Sequence, residues 1–232
     1  FIKFMFYIKN FIFYFCFYFA TIILTIIALP LLFFNKLHML KFLNLWSKTL
    51  SLLIKYLFGI THQIDGNKVK KQVIYAIKHS SIWETIILPD LLHGNQAIVM
   101  KEELVNIPII GRLFKHCDAI SIDRSKKISS LKKLILSSEK AKKRGDSIII
   151  FPEGSRSKNK NTYMSGIYSI YKSTNMSVIP IAHNTSKFWN NKLISGPGTI
   201  NVFLLEEIKP GLEKNKFMEL LQKQIETKSM EL

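Results

Sequence analysis

The sequence predicts an α/β fold, a mixed and mostly parallel sheet covered by helices, preceded by an N-terminal membrane-associated helical segment. Two observations carry this. After Gly59, short β-branched apolar runs alternate with stretches of helical length, the pattern of strands packed under helices. Before Gly59, the chain holds a long uncharged apolar run and no acidic residue.

Phe11–Phe34 has 24 residues without a charge. As a helix it is about 36 Å long at about 1.5 Å per residue, enough for a hydrocarbon core of about 30 Å. Pro30 kinks this helix or marks its exit. A secretory signal competes, but its apolar region is about 7–15 residues with a small-residue cleavage site. Leu31-Leu32-Phe33-Phe34-Asn35 offers no such site, so a retained segment is the better reading. Leu37 to Ile60 then carries Lys41, Lys48 and Lys55 at steps of seven, nearly one helical face. That predicts an interfacial amphipathic helix with a basic stripe. The alternative is a core helix with a solvated lysine face. More lysine follows the apolar run than precedes it, which places the main domain on the cytoplasmic side of the membrane. The chain thus divides into a membrane anchor, residues 1–60, and a catalytic-size domain, residues 61–232.

In that domain Val73–Ile77, Ala97–Met100, Ala119–Ile122, Ile148–Phe151, Val178–Ala182 and Ile200–Leu205 read as strands. Ile82–His93, Ile128–Arg144, Gly166–Ser173 and Glu213–Lys228 have helical length. Gly145 after Lys142-Lys143-Arg144 is the expected end of a helix with cations in its last turn.

The 33 basic residues against 16 acidic give a net charge of +17, which favours an anionic partner: phospholipid headgroups, a phosphorylated substrate or nucleic acid. Much of the charge flanks apolar segments and no nucleic-acid-binding motif stands out, so nucleic acid is not expected. Cys16 and Cys117 make no disulfide framework, and no Cys/His ligand spacing points to a metal. G-x-S-x-G, H-E-x-x-H and the phosphate-binding loop of nucleotide hydrolases are absent.

Four segments can carry chemistry. In Ile77-Lys78-His79-Ser80-Ser81-Ile82-Trp83-Glu84 a buried strand ends and a histidine sits in the turn before a helix. Glu84 in the first helical turn can curl back to one imidazole nitrogen, leaving the other as a general base. Ser81-Ile82-Trp83-Glu84 is equally a capping box, in which Glu84 only satisfies backbone donors. Phe151-Pro152-Glu153-Gly154-Ser155-Arg156 places an acid, a glycine, a hydroxyl and a guanidinium after a strand; Arg156 there can hold a phosphate with two bonds. Ile120-Ser121-Ile122-Asp123-Arg124 again ends a strand in charge, and Val178-Ile179-Pro180-Ile181-Ala182-His183-Asn184 ends one in polar groups.

In this order and spacing the four segments resemble the conserved blocks of the glycerophosphate acyltransferase family. They are most similar to its bacterial 1-acyl-sn-glycerol-3-phosphate acyltransferase branch. The first block there is a His, four residues and an acid; the third reads F-P-E-G-T/S-R. Lys101-Glu102-Glu103-Leu104, Pro108, Gly111 and Asp123-Arg124 look like the second block, and Val178-Ile179-Pro180-Ile181 like the fourth. The resemblance covers about residues 60–210. It departs at Glu84, where the usual acid is Asp, and more mildly at Ser155, where Thr is commoner.

The resemblance implies a glycerolipid acyltransferase-like fold. It implies acyl transfer from acyl-CoA or acyl carrier protein to lysophosphatidate at a phospholipid membrane, with no cofactor. His79 would be the base and Glu84 its partner. Arg124, Glu153, Gly154, Ser155 and Arg156 would hold the glycerophosphate, Lys101 would face phosphate or the oxyanion, and Pro180 would line the site. A bacterial inner-membrane location follows. Another lysophospholipid or a lyso-aminolipid as acceptor, and a catalytically inactive membrane-surface binder, are the competing expectations.

Overall fold

The computed structural model describes residues 2–67, 69–92, 94–123, 125–154, 163–190 and 193–232. In chain order the elements begin with helix α1 (Ile2–Ala28), a 3-10 turn (Leu29–Phe33), α2 (Lys36–Phe58), β1 (Ile60–Asp65) and β2 (Ile74–Ile77). Then come α3 (Trp83–Ile86), α4 (Leu88–Leu91), β3 (Gln96–Lys101), α5 (Glu102–Val105), α6 (Ile110–His116), β4 (Ile120–Ile122), α7 (Lys127–Lys143) and β5 (Ser147–Ile150). The chain closes with α8 (Gly166–Thr174), β6 (Val178–His183), α9 (Thr185–Phe188), the pair β7 (Trp189–Asn190) and β8 (Leu193–Ile194), β9 (Gly198–Leu204) and α10 (Lys214–Glu231).

Seven strands form one sheet in the order β1-β9-β6-β2-β5-β3-β4. The five strands from β6 to β4 are mutually parallel, while β9 runs antiparallel to β6 and parallel to β1. Side chains alternate faces along a strand, and the two core clusters follow that alternation. Val73, Tyr75 and Ile77, with Ile149, Ile179 and Ile181, face one side, against Leu50, Ile54 and Phe58 of α2 and Trp83 and Leu88. Ile74, Ala76, Ile148, Ile150 and Val178 face the other, against α7, α8 and α10 through Leu134, Ile167, Ile170, Phe217 and Leu221. The mixed, mostly parallel sheet covered by helices is therefore what the chain forms.

The N-terminal helices make a hairpin along one face of the sheet. At one end Lys36 Nζ pairs with Asp118 at 2.9 Å and Asp146 at 3.0 Å, at the edge where β5 begins. At the other, Phe13 packs edge-on against Phe58 and Trp189, and the buried Asn10 side chain bonds both backbone groups of Ile194. This second end lies at the edge where β2 and β6 finish, because Ile60 pairs with Gly198 beyond the His183–Val202 rung. Most of α1 has no protein cover: Phe11, Phe15, Tyr18, Phe19, Ile22 and Ile26 are exposed. Lys3–Phe33 is the one helical run among the described residues long and apolar enough to cross a membrane.

Several boundaries differ from those the sequence suggests. The apolar helix starts at Ile2 rather than near Phe11, since Lys3 and Lys9 are compatible with a helix, and it gives way to the 3-10 turn at Pro30. The basic helix stops at Phe58, where Gly59 adopts a left-handed conformation (φ 67°) and its N–H returns to Lys55 O. Ile60 then opens β1, an outer strand whose half-polar sequence hides it from hydropathy. The expected single helix from Ile82 is two short ones. Pro89 has no N–H to continue the first.

Candidate active site

The site is built on the turn after β2. The ladder between β2 and β6 runs on to Lys78 N–H donating to Ile181 O at 3.0 Å, after which the chain leaves the sheet at the C-terminal edge of its parallel strands. That edge is where loops of parallel sheets gather. His79 sits there, its ring 4.5 Å from that of Phe151 at the end of β5.

His79 Nδ1 lies 3.1 Å from Glu84 Oε1. A carboxylate only accepts, so Nδ1 carries a proton, and in the neutral ring Nε2 has its lone pair free to act as a base. No other described residue hydrogen-bonds that nitrogen. Glu84 is fully buried and closely bonded: Oε1 also accepts the Ser80 and Ser81 amides at 2.7 Å each, and Oε2 accepts the Ser81 hydroxyl. Burial alone pushes the Glu84 carboxyl up, but the bonds from His79 and Ser81 outweigh it and hold it below the usual carboxylate range. Ser81 Oγ in turn accepts the Trp83 amide at 3.0 Å. The capping box and the histidine contact therefore coexist in one carboxylate.

A buried polar layer lies beneath. His183 ends β6, and its Nε2–H donates to Lys78 O at 2.8 Å. Its Nδ1 lies 3.0 Å from the Thr185 hydroxyl, an acceptor for it in the neutral ring. Burial pushes the His183 imidazole down, and this bonding fits the neutral ring. The single Thr185 proton is shared between two acceptors, His183 Nδ1 at 3.0 Å and Glu84 Oε2 at 3.3 Å. Ser80 Oγ, 3.0 Å from Thr185 Oγ1, completes the chain as donor. The residues flanking His79 are thus tied to β6 and α9.

Glu153, after β5, reaches the same turn. Its Oε1 accepts the His79 amide at 2.9 Å and lies 3.5 Å from Lys78 Nζ. Burial pushes this carboxyl up, against the pull of His79 N–H and Lys78. Gly154 takes φ 72°, a conformation glycine adopts without a Cβ penalty, and turns the chain after Glu153. Lys78 Nζ is itself held by Glu226 of α10 at 2.6 and 2.7 Å.

The other residues singled out in sequence fare differently. Lys101 is exposed at the C-terminal end of β3, opposite Ile122 of β4, on the His79 edge of the sheet. Pro180 lies inside β6 beside Ala76 of β2. Its carbonyl accepts Leu205 N–H at 2.9 Å, so its missing donor falls on the β9 side and the ladder to β2 is intact. Pro180 therefore acts in the strand, one layer back from the turn. Arg124, Ser155 and Arg156 lie outside the described residues. Asp123 accepts the Ser125 amide and hydroxyl at 2.9 and 2.6 Å, shaping its own turn. Sequence reasoning named Lys78 and His183 within its segments without giving them a role, and overlooked Thr185 and Glu226. For His183 the signal was a titratable residue ending a fully apolar strand. Glu226 had none.

Comparison with known proteins agrees with this architecture. The model of the Acyltransferase family matches residues 60–184. The 1-acyl-sn-glycerol-3-phosphate acyltransferase of Pseudomonas aeruginosa is 30% identical over 164 residues, 68% of this chain and 63% of that protein. The protein of the same name from Cocos nucifera is 25% identical over 171 residues, 72% of this chain and 56% of the relative. The chain thus spans about three fifths of the length of these curated relatives. The crystal structure of the 1-acyl-sn-glycerophosphate (LPA) acyltransferase PlsC from Thermotoga maritima superposes with a TM-score of 0.74 at 18% identity, covering 99% of this chain and 96% of that one. The family match takes in the His79 turn, the Glu153 turn and β6 together, and the chain belongs to the Acyltransferase family.

Proposed function

We propose that the chain transfers an acyl group from a thioester to the free hydroxyl of 1-acylglycerol 3-phosphate, giving phosphatidic acid. The observation that carries this is the His79 imidazole, its Nδ1–H fixed on a buried carboxylate and its Nε2 unengaged by any described residue, at the sheet edge beside an uncovered apolar helix. The names of the relatives supply the substrate class.

In this reading Nε2 takes the hydroxyl proton as the oxygen attacks the thioester carbonyl, and Glu84 stabilises the imidazolium. The tetrahedral adduct collapses, the C–S bond breaks, and the thiolate leaves with the proton returned from Nε2. No acyl-enzyme forms, because the acceptor is the nucleophile. The donor, acyl-CoA or acyl carrier protein, is a substrate and no cofactor takes part. Lys101 on the same edge serves phosphate or the developing oxyanion, with Arg124, Ser155 and Arg156 assigned to the glycerophosphate by their place in the blocks. We read Glu153 as holding the His79 backbone, since its oxygen already accepts that amide. The apolar face of α1 and Lys41, Lys48 and Lys55, all exposed along α2, seat the protein on the cytoplasmic face of a bacterial inner membrane.

The test offers lysophosphatidate, other lysophospholipids and a lyso-aminolipid in parallel, each with acyl-CoA and acyl carrier protein donors, to the parent and to His79→Ala. The expected result is phosphatidic acid from the parent and a loss of about 10²–10⁴-fold in turnover with His79→Ala. Preference for another acceptor moves the assignment within the family. Unchanged turnover in His79→Ala removes the mechanism.

A further inference from the structure

Lys78 immediately precedes His79, and what holds its ammonium comes from the far end of the chain. Both oxygens of Glu226, in α10, lie within hydrogen-bond distance of Nζ, at 2.6 and 2.7 Å. The same Nζ is 3.5 Å from Glu153 Oε1, the oxygen that accepts the His79 amide. The Tyr163 hydroxyl, just before α8, donates to Glu226 Oε1 at 2.8 Å. Four parts of the chain therefore meet around the Lys78 ammonium, and one of them, Glu153, also holds the His79 amide.

The cluster is sheltered: the Lys78 side chain is 20% exposed, Glu153 8% and Glu226 29%. Its charges are screened less than those of a surface pair, so loss of one member is felt by the others. With Glu226 gone, Lys78 has one carboxylate left, and the pull that sets the position of Glu153 Oε1 changes. That oxygen fixes the His79 amide, and an imidazole misplaced by about an ångström can cost on the order of 10²-fold in rate.

We propose that Glu226 is a positioning residue for the acyl transfer described above, acting through Lys78 and Glu153 to fix the backbone of His79. The proposal rests on that reading of the function, yet it has a consequence that needs no turnover. The simpler role, a tie that only fastens α10 to the domain, predicts stability effects alone.

The experiment uses the full chain in detergent micelles with ¹⁵N-labelled histidine, the His79 amide resonance being assigned by its loss in His79→Gln. Glu226→Gln keeps an acceptor for Tyr163 and Lys78 but removes the charge. It is compared with Lys78→Met, the double variant and Lys78→Arg. The expected result is a displaced His79 amide resonance in Glu226→Gln and Lys78→Met. With it comes a kcat about tenfold lower, while KM and melting temperature stay close to the parent's. The double variant is no worse than Lys78→Met alone, since the two act as one unit, and Lys78→Arg recovers most of the rate. An amide resonance that stays in place, additive losses, or a rate loss that follows only the melting temperature overturns the proposal. If the parent itself transfers no acyl group, the functional reading fails, and the amide resonance still decides whether Glu226 acts on His79.

Discussion

Two regions of this protein invert the usual rule of burial in opposite senses. In α1 large aromatic side chains face outward: Phe11 is 73% exposed and Phe15 62%. In the turn after β2 a carboxylate faces inward, with Glu84 at 0% and the neighbouring His183 at 3%. In water both would be costly, the first through hydrated apolar area and the second through lost solvation. The second is offset inside the molecule by the His79, Ser80 and Ser81 donors around Glu84. The first has no offset within the protein, so its partner must be apolar and external. One region is satisfied by the fold itself; the other is left for an apolar surrounding such as the lipid of the proposed function. Both lie toward the same edge of the sheet, where Phe13 and Asn10 fasten α1 to Trp189 and Ile194.

The comparison breaks most readily at α1. Phe15→Ser removes one outward ring, worth about 1.5–3 kcal/mol when fully buried in lipid. We expect binding to phospholipid vesicles to weaken by about ten- to a hundredfold, read by sedimentation, with the melting temperature in detergent unchanged. A variant that binds vesicles as the parent does would mean that this face meets something other than lipid.

At the other region Glu84→Gln sharpens the double role of that side chain. A purely capping residue would cost about 0.5–2 kcal/mol in stability and leave turnover alone. Because Glu84 both caps α3 and holds His79, we expect a stability loss of about 1–3 kcal/mol in denaturant titration together with a clear fall in kcat. Retained kcat in the folded variant would reduce Glu84 to a cap.

The smallest expected effect is in pH dependence. Burial lowers the folded pKa of His183 from its ordinary 6.5, so below that pH the unfolded chain takes up a proton that the folded chain refuses. Stability therefore falls as pH drops through this range, by at most about 1.4 kcal/mol per pH unit for one such group. His183→Gln should flatten the slope of unfolding free energy between neutral pH and the onset of carboxylate titration. A residual slope belongs to His62, which burial also lowers. Glu84 acts in a separate window: its depressed pKa contributes stability above 4.5 that is lost at lower pH. An unchanged slope in His183→Gln would mean that the ring takes up its proton equally in the folded and unfolded chain.

Much of the site was legible because it is local. His79 and Glu84 are five residues apart across a strand-to-helix turn, and Ser81 with Glu84 spells out a capping box. Both readings of Glu84 were present in the letters, and only coordinates could show that one carboxylate satisfies both. Glu153 was legible as a member of the site, but its partner, the amide of His79, was not. Side chain-to-backbone contacts across neighbouring strands leave no pattern in composition or spacing. β1 escaped notice for a related reason: an outer strand is half wet, so its hydropathy resembles a loop.

By itself, then, the sequence determined the alternation of strands and helices, the apolar N-terminal helix and the placing of a histidine and an acid on one strand-to-helix turn. All of these follow from periodicity and short-range stereochemistry. The tertiary structure alone decided that β6 and α9 bring His183 and Thr185 beneath that turn, and that Glu226 closes on Lys78 across 148 residues. Contacts between distant segments depend on strand order and helix docking, which the packing of the whole core fixes and no local run of residues encodes.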